Sequence, residues 1–92
     1  MPSAKARHIV VSDESLSNQL KQAINAGADF SELAMQYSEC TTARHGGDLG
    51  NFAPGQMDPV IDDAVFNGPI GVLQGPLATS NGYHLLIVQE RK

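Results

Sequence analysis

Two histidines, His8 and His84, fall within stretches of the 92-residue chain that have the composition of β-strands. Residues 6–12 and 83–89 are short runs rich in β-branched and aliphatic residues, a pattern typical of strands. In each run the histidine shares a face with aliphatic residues. If the two strands are neighbours, the imidazoles meet inside the sheet, where a hydroxyl such as that of Thr79 can orient them in a fixed polar network. A hydrogen-bonded pair of core histidines without a chemical role explains the same pattern.

Cys40 is the one cysteine of the chain, so an internal disulfide is excluded. It is interpreted either as a small buried hydrophobe, as a nucleophile assisted by His84, or as a metal ligand together with His8, His45 and His84. No local motif of a thiol protease surrounds it, and the Cys40-x4-His45 spacing lacks the paired short spacings of structural zinc sites. A free thiol suits a reducing compartment, and we expect a cytoplasmic protein.

Residues 46–57 form a glycine-rich stretch that carries three large apolar side chains, Leu49, Phe52 and Met57. Irregular segments of this kind are more often part of a site than plain connectors. The stretch lacks both common phosphate-binding glycine patterns, and no lysine follows it. With Ile61 on the helix that follows, the three side chains either belong to the core or floor a small apolar pocket.

The remaining elements must position these residues. Apolar periodicity and capping residues predict a helix from Ser12 or Asp13 to Gly27, a second from Asp29, and a third that starts at Asp58-Pro59. We expect Phe30, Leu33, Ala34 and Tyr37 to form the buried stripe of the second helix. A loop with at most one short helical turn over residues 38–48, a brief strand at 49–52, and a hairpin of strands 74–79 and 83–89 complete the pattern. The last strand is apolar on both faces, as central strands are, and Pro76 places strand 74–79 near an edge. The order of elements predicts an α+β domain.

The bulk properties restrict the class of protein. The length allows one domain, residues 1–92. The net charge is −4 without clusters of Lys and Arg, which argues against nucleic acid as a partner. The small basic group at Lys5 and Arg7 is interpreted as a solvated strand end. The sequence has no apolar window that approaches the ~20 residues of a membrane helix, and the N-terminal residues do not have the pattern of a signal peptide.

The glycine-rich stretch and five further elements, in order along nearly the whole chain, resemble the pattern of the parvulin family of peptidyl-prolyl isomerases. The glycine-rich stretch fits G-G-D-L-G-x-F-x-x-G-Q-M, and His8 matches the histidine of the first strand. The other matches are Gly27-Ala28-Asp29-Phe30-Ser31-Glu32-Leu33-Ala34, Ser38-Glu39-Cys40, Gly75-Pro76-Leu77 and Thr79-Ser80-Asn81-Gly82-Tyr83-His84.

The resemblance implies a small four-stranded, mostly antiparallel sheet surrounded by about four helices. It implies cis/trans isomerisation of X–Pro bonds in proline-containing peptides and in unfolded or partly folded proteins, with no cofactor and no metal. By position, the proline pocket is formed by Leu49, Met57 and Ile61 with Phe52 beside it. Cys40 lies near the reacting carbonyl, and His8, His84 and Thr79 form the hydrogen-bond network beneath it.

The chain departs from the family pattern at two places. The family often has phenylalanine where this chain has Ile61, which keeps the pocket apolar but removes a ring face. The phosphate-selective branch has a basic cluster where this chain has Ser12-Asp13-Glu14-Ser15, which repels phosphate. We therefore expect a non-phosphospecific, noncovalent isomerase that resembles the minimal single-domain bacterial type and is a monomer. The alternative is a catalytically weak binding or chaperone module with the same fold.

Overall fold

The computed structural model describes residues 2–92, with eight elements of secondary structure. In chain order they are strand β1 (Ala4–Val11), helices α1 (Glu14–Asn25) and α2 (Phe30–Tyr37), a 3-10 helix (Thr41–His45), β2 (Asp48–Phe52), α3 (Pro59–Asn67), β3 (Gln74–Thr79) and β4 (Gly82–Arg91). The element types and their order are those predicted from the sequence. The boundaries differ by a few residues, since β1 begins at Ala4 rather than at residue 6.

The four strands form one sheet in the order β2-β1-β4-β3, and every neighbouring pair is antiparallel. The expectation of a four-stranded, mostly antiparallel sheet is confirmed. β4 is a central strand, and β3, which contains Pro76, lies at an edge where its missing N–H is tolerated. Three α-helices and the 3-10 helix account for the expected four helices.

One face of the sheet packs against α3. Alanines of β1 and aliphatic residues of β4 meet the inner side of this helix, because alternate residues of a strand point to the same face. The buried cluster consists of Ala4, Ala6, Phe52, Ile61, Ala64, Val65, Leu86 and Val88. His8 and His84 are the next alternating positions along β1 and β4, so they continue this face beyond the apolar cluster.

The other face packs against α1 and α2. Its buried cluster consists of Ile9, Val11 and Leu85 from the sheet with Leu20 and Ala34 from the helices. Phe30 and Leu33 pack against it, as predicted, but Tyr37 is 43% exposed and does not belong to the buried stripe. Tyr37 is the last residue of α2, and its polar hydroxyl tolerates contact with water.

Aspartates begin all three α-helices. Asp13, Asp29 and Asp58 are the N-caps, and each side chain accepts a hydrogen bond from a backbone N–H of the first turn. Such caps satisfy donors that the helix itself leaves unpaired. Asp58 and Pro59 therefore fix where α3 begins, directly after the glycine-rich stretch. No helix among residues 2–92 is long and apolar enough to cross a membrane.

The glycine-rich stretch is anchored to β1 at its N-terminal end. The carbonyl of Gly47 accepts a hydrogen bond of 2.9 Å from the backbone N–H of His8. A Cβ atom on Gly47 would lie 2.2 Å from the carbonyl oxygen of His8, and its φ of +82° disfavours other residues. Arg7 donates to Ser31 Oγ and to the Gly46 carbonyl, so its side chain holds this junction. The interpretation of Arg7 as part of a solvated strand end is wrong.

Candidate functional site

The two histidines meet on the α3 face of the sheet. In the antiparallel pairing of β1 with β4, Val10 lies opposite His84 and His8 lies opposite Leu86, so the histidines are diagonal neighbours. Long side chains reach across such a diagonal. The two Nδ1 atoms are 3.4 Å apart, and both residues are buried. The structure thus brings together two residues that are 76 positions apart in the chain.

Hydroxyl groups hold the outer nitrogens of both rings. Thr79 Oγ1 is 2.7 Å from Nε2 of His84 and also accepts a hydrogen bond from the Asn81 backbone N–H. At the other end, Thr42 Oγ1 is 3.1 Å from Nε2 of His8. The network therefore fixes both rings through all four ring nitrogens, which is how a buried polar network gains rigidity.

Thr42 was not predicted from the sequence. It belongs to the short 3-10 helix that follows Cys40, in a stretch that reads only as a polar loop. The available signal was weak: a pair of threonines, Thr41 and Thr42, directly after the cysteine. Only the fold brings Thr42 within hydrogen-bond distance of His8.

The pair of rings is neutral at neutral pH. Burial, and after it the adjacent His84 ring, lowers the pKa of His8 from 6.5 to about 4. Burial also lowers the pKa of His84, against the opposing effect of the Asp58 carboxylate. Two neutral imidazoles have one proton each and can act as hydrogen-bond donor on one nitrogen and acceptor on the other. The influence of Asp58 also places the start of α3 near His84.

Cys40 is half-buried and precedes the 3-10 helix. Partial burial raises the pKa of its thiol, but hydrogen bonds from the side chains and backbone of Thr42 and Thr41 outweigh that effect, and the net direction is downward. The sulfur is thus a polar group connected through Thr42 to His8. Thr42 thus lies between the cysteine, whose pKa it lowers, and His8, whose Nε2 is 3.1 Å from its hydroxyl.

A cavity of about 390 Å³ opens beside the histidines. His8 and Val10 of β1 and His84 of β4 form its base, the segment from Glu39 to Thr41 forms one wall, and Asn81 closes the hairpin side. Cys40, His8 and His84, three of the four residues predicted to be catalytic, therefore line one cavity. The fourth, Thr79, lies behind His84 as its hydrogen-bond partner.

The four residues predicted to bind substrate divide into two groups. Phe52 and Ile61 belong to the buried cluster, with 6% and 3% of their surface exposed, so they offer little area to a ligand. Leu49 and Met57 are partly buried and pack against that cluster from the outside.

Two further residues belong to the same region and were not predicted. Leu77 of β3 packs against the same buried cluster as Leu49 and Met57, and Phe66 meets the Phe52 ring edge-on with centroids 5.8 Å apart. Leu77 also borders a second cavity of about 500 Å³ between α3 and β3. The accessible apolar surface, which we call the Leu49–Met57–Leu77 surface after its three residues, thus lies over the α3 face of the sheet.

Comparison with known proteins identifies the family. The family model described as a PPIC-type PPIASE domain matches residues 1–92. The chain belongs to this family of peptidyl-prolyl isomerase domains. The resemblance to parvulins inferred from the sequence motifs is therefore confirmed, and so is the predicted fold.

Relatives of this isomerase domain include longer foldases. The chain is 40% identical over 92 residues to foldase protein PrsA 2 of Bacillus cereus and 38% identical over 92 residues to foldase protein PrsA of a Geobacillus species. These matches cover 99% of the chain but only 32% and 33% of the relatives, so the chain spans about a third of their length.

Solved structures agree with the fold of the isomerase domain. A crystal structure of the peptidylprolyl isomerase PrsA from Bacillus anthracis superimposes with a TM-score of 0.95 at 39% identity, over 99% of this chain and 42% of that one. The solution structure of NmPin, the parvulin of Nitrosopumilus maritimus, gives a TM-score of 0.85 at 29% identity and covers 96% of both chains. A lone domain of this size thus exists among its structural relatives.

Metal-ligating side chains do not cluster within the described residues of the isomerase domain. Among residues 2–92, no group of three or more His, Cys, Asp or Glu side chains is placed to hold a metal ion. The alternative in which Cys40, His8, His45 and His84 bind a metal therefore has no geometric support within the described part of the chain.

Proposed function

We propose that this domain catalyses cis/trans isomerisation of X–Pro peptide bonds by a noncovalent mechanism. The observation that carries the proposal is the position of two surfaces on the same face of the sheet: the Leu49–Met57–Leu77 surface, and the cavity lined by Cys40, His8 and His84. An extended peptide laid across this face puts its proline ring on the apolar surface. The carbonyl that precedes the proline then lies beside the polar cavity.

The physical task needs only shape and dipoles. Amide resonance raises the rotation barrier to roughly 18–20 kcal/mol. An apolar surface that holds the proline ring while excluding water, together with polar groups near the rotating carbonyl, favours the twisted amide over both planar forms. Lowering the barrier by about 5 kcal/mol accelerates exchange several thousandfold. No bond breaks, and the mechanism uses no cofactor.

The rigid polar network supports this mechanism because its side chains are oriented before the substrate binds. Groups that are fixed before the reaction need no reorganisation as charge shifts in the twisted amide. His8 and His84 are each held at both ring nitrogens, and the hydrogen bonds to Cys40 fix the cysteine beside them. Their proposed role is to present a constant electrostatic environment, with the thiol as a polar neighbour.

The substrates proposed are proline-containing peptides and unfolded or partly folded proteins, without a preference for phosphorylated residues. The β1–α1 loop supports the last point. Asp13 caps α1, and Glu39 hydrogen-bonds to Ser12, so carboxylates stand where a phosphate group would require cations. A monomeric state and a reducing, cytoplasmic location are proposed on the sequence arguments alone.

The second candidate is a binding or chaperone module of low activity. Ile61, which replaces the aromatic residue that the family often has, favours it, because the side chain is 3% exposed and offers no ring to stack on proline. Such a module would bind extended segments without accelerating their isomerisation.

One experiment separates the two candidates. Exchange spectroscopy by NMR measures cis/trans rates of short Ala–Pro peptides with and without the protein, and line broadening measures binding in the same sample. Acceleration by orders of magnitude at micromolar protein supports the enzyme. Binding that persists with unchanged exchange rates would establish the module instead.

A further inference from the structure

The cavity beside the histidines contains one carboxylate. Glu39 lines it together with neutral or polar side chains, and within the described part of the chain no lysine or arginine contributes to the lining. His8 and His84 do not add positive charge, because burial lowers the pKa of both rings. The negative charge of Glu39 is thus not compensated inside the cavity.

The Glu39 carboxylate is held in place rather than free to rotate. Its Oε2 accepts hydrogen bonds from the Ser12 backbone N–H at 2.9 Å and from the Ser12 hydroxyl at 3.3 Å. Its own backbone N–H donates to the Val10 carbonyl at 2.7 Å, which ties the segment to β1. Oε1 has no hydrogen bond within the described part of the chain, and the side chain is exposed, so this oxygen is available to a cation.

Further carboxylates lie around the cavity, near His84 and at the start of α1. Asp58 lies close enough to His84 to oppose the downward shift of the histidine pKa. Asp13 and Glu14 follow Ser12 at the start of α1. A substrate side chain that enters the cavity therefore meets negative potential from both flanks.

We propose that Glu39 determines substrate specificity and selects X–Pro bonds in which X is lysine or arginine. The inference rests on the proposed isomerase function. With the proline ring on the Leu49–Met57–Leu77 surface, the preceding residue lies toward the cavity. The aliphatic stem of a lysine or arginine spans the cavity while its charged end reaches Oε1 of the exposed Glu39, because long cationic side chains keep their charged ends in water. A glutamate or phosphoserine at X meets repulsion at the same place.

The test compares three peptides that differ only in the residue before proline: lysine, alanine and glutamate. NMR exchange spectroscopy gives kcat/KM for each at low ionic strength. An exposed ion pair changes an equilibrium by a factor of about two to five. Because lysine gains attraction and glutamate meets repulsion, we expect a Lys/Glu ratio of about fivefold to tenfold, with alanine between.

Two changes should remove the preference. In Glu39→Gln, the amide oxygen keeps the hydrogen bonds to Ser12 but the charge is lost, so the Lys/Glu ratio should fall at least twofold, and Glu39→Lys should invert it. Salt at 1 M reduces the screening length to about 3 Å and should therefore lower the Lys/Glu ratio in the unmodified protein. This measurement does not depend on the folding of any variant. Glu90→Gln removes an exposed carboxylate near the far end of β4 and should keep the original ratio.

The outcomes separate this inference from the proposed function. Equal kcat/KM for all three peptides, or a ratio that Glu39→Gln leaves unchanged, overturns the role of Glu39 while the isomerase function stands. Absence of acceleration for every peptide, alanine included, overturns both.

Discussion

Nδ1 of His8 and Nδ1 of His84 face each other at 3.4 Å across the β1–β4 pair. A hydrogen bond between them requires one protonated and one bare nitrogen, so the two neutral rings adopt complementary tautomers. The choice extends to both outer nitrogens: if His84 donates to His8, then His84 Nε2 accepts from Thr79 and His8 Nε2 donates to Thr42. The opposite choice reverses every one of these hydrogen bonds, so the two tautomers and both threonine hydroxyls change together.

Acidification should destabilise the protein through His8. Its pKa is 6.5 in the unfolded chain and about 4 in the folded state, so between these values the unfolded chain binds more protons. The contribution of His8 to the free energy of unfolding is complete above pH 6.5 and is lost as the pH decreases toward 4. The loss is about 3 kcal/mol, at about 1.4 kcal/mol per pKa unit. Urea unfolding followed by circular dichroism at pH 7.5, 6, 5 and 4 measures it.

Two variants isolate this contribution from the titration of carboxylates. His8→Asn removes the buried imidazole and should flatten the decrease between pH 6.5 and 4. His45→Gln, which removes an exposed histidine of the 3-10 helix, is the matched control. A parallel decrease in the unmodified protein and in His8→Asn would show that His8 does not control it.

Cys40→Ser should retain much of the isomerase activity. The hydroxyl can form the hydrogen bonds that Thr41 and Thr42 make with the sulfur, and a noncovalent mechanism needs only a polar group at this place. We expect kcat/KM within about tenfold of the unmodified protein, equivalent to about 1.4 kcal/mol of transition-state stabilisation. Loss of all catalysis in a variant whose urea unfolding curve is unchanged would instead support a covalent role for the thiol.

Local sequence patterns predicted most of the fold because they are set within a few residues. Asp29 and Asp58 indicate where α2 and α3 begin, and the turn residues before Gly82 indicate the hairpin of β3 and β4. The two-sided apolar pattern of β4 predicted its central place. The pairing of β1 with β4 joins the two ends of the chain, and no local pattern encodes it. For the same reason Thr42 could not be assigned as the partner of His8, and Phe52 and Ile61 could not be recognised as more buried than Leu49 and Met57.

Gly47→Ala should destabilise the protein more than Gly50→Ala. Both glycines have positive φ, +82° and +71°, so both substitutions carry the strain of a left-handed residue, about 1–2 kcal/mol. Only at Gly47 does the new Cβ also collide, at 2.2 Å from the His8 carbonyl oxygen, whereas nothing lies within 4 Å at Gly50. We expect a further loss of about 1–3 kcal/mol at Gly47, comparable to overpacking a core.

Urea unfolding of the two variants measures the difference, and isomerase activity gives a second readout. Because the collision displaces the backbone of His8, Gly47→Ala should also reduce kcat/KM, while Gly50→Ala should reduce it less. Equal losses of stability in the two variants would mean that the backbone at Gly47 moves away from β1 at little cost in free energy.

Substitution of Met57 should mainly weaken peptide binding, whereas substitution of Ile61 should mainly lower the free energy of unfolding. Met57 is partly buried at the edge of the core cluster, whereas Ile61 is 3% exposed inside it. Ile61→Ala creates a cavity and should lower the free energy of unfolding by about 2–5 kcal/mol. Met57→Ala removes surface that a proline ring would contact, so it should raise KM for Ala–Pro peptides several-fold with a smaller loss of stability.

The two measurements are made on the same samples, with exchange rates recorded under conditions where urea titration shows both variants to be folded. In folded Ile61→Ala, KM should change less than in Met57→Ala, because a side chain enclosed by the core contacts the ligand little. The opposite order, with KM raised mainly by Ile61→Ala, would mean that the core opens when peptide binds and that Ile61 itself contacts the proline ring. In that case Ile61→Phe should improve binding by restoring a ring face, whereas in the closed core described here it should chiefly overpack the cluster and destabilise it by about 1–3 kcal/mol.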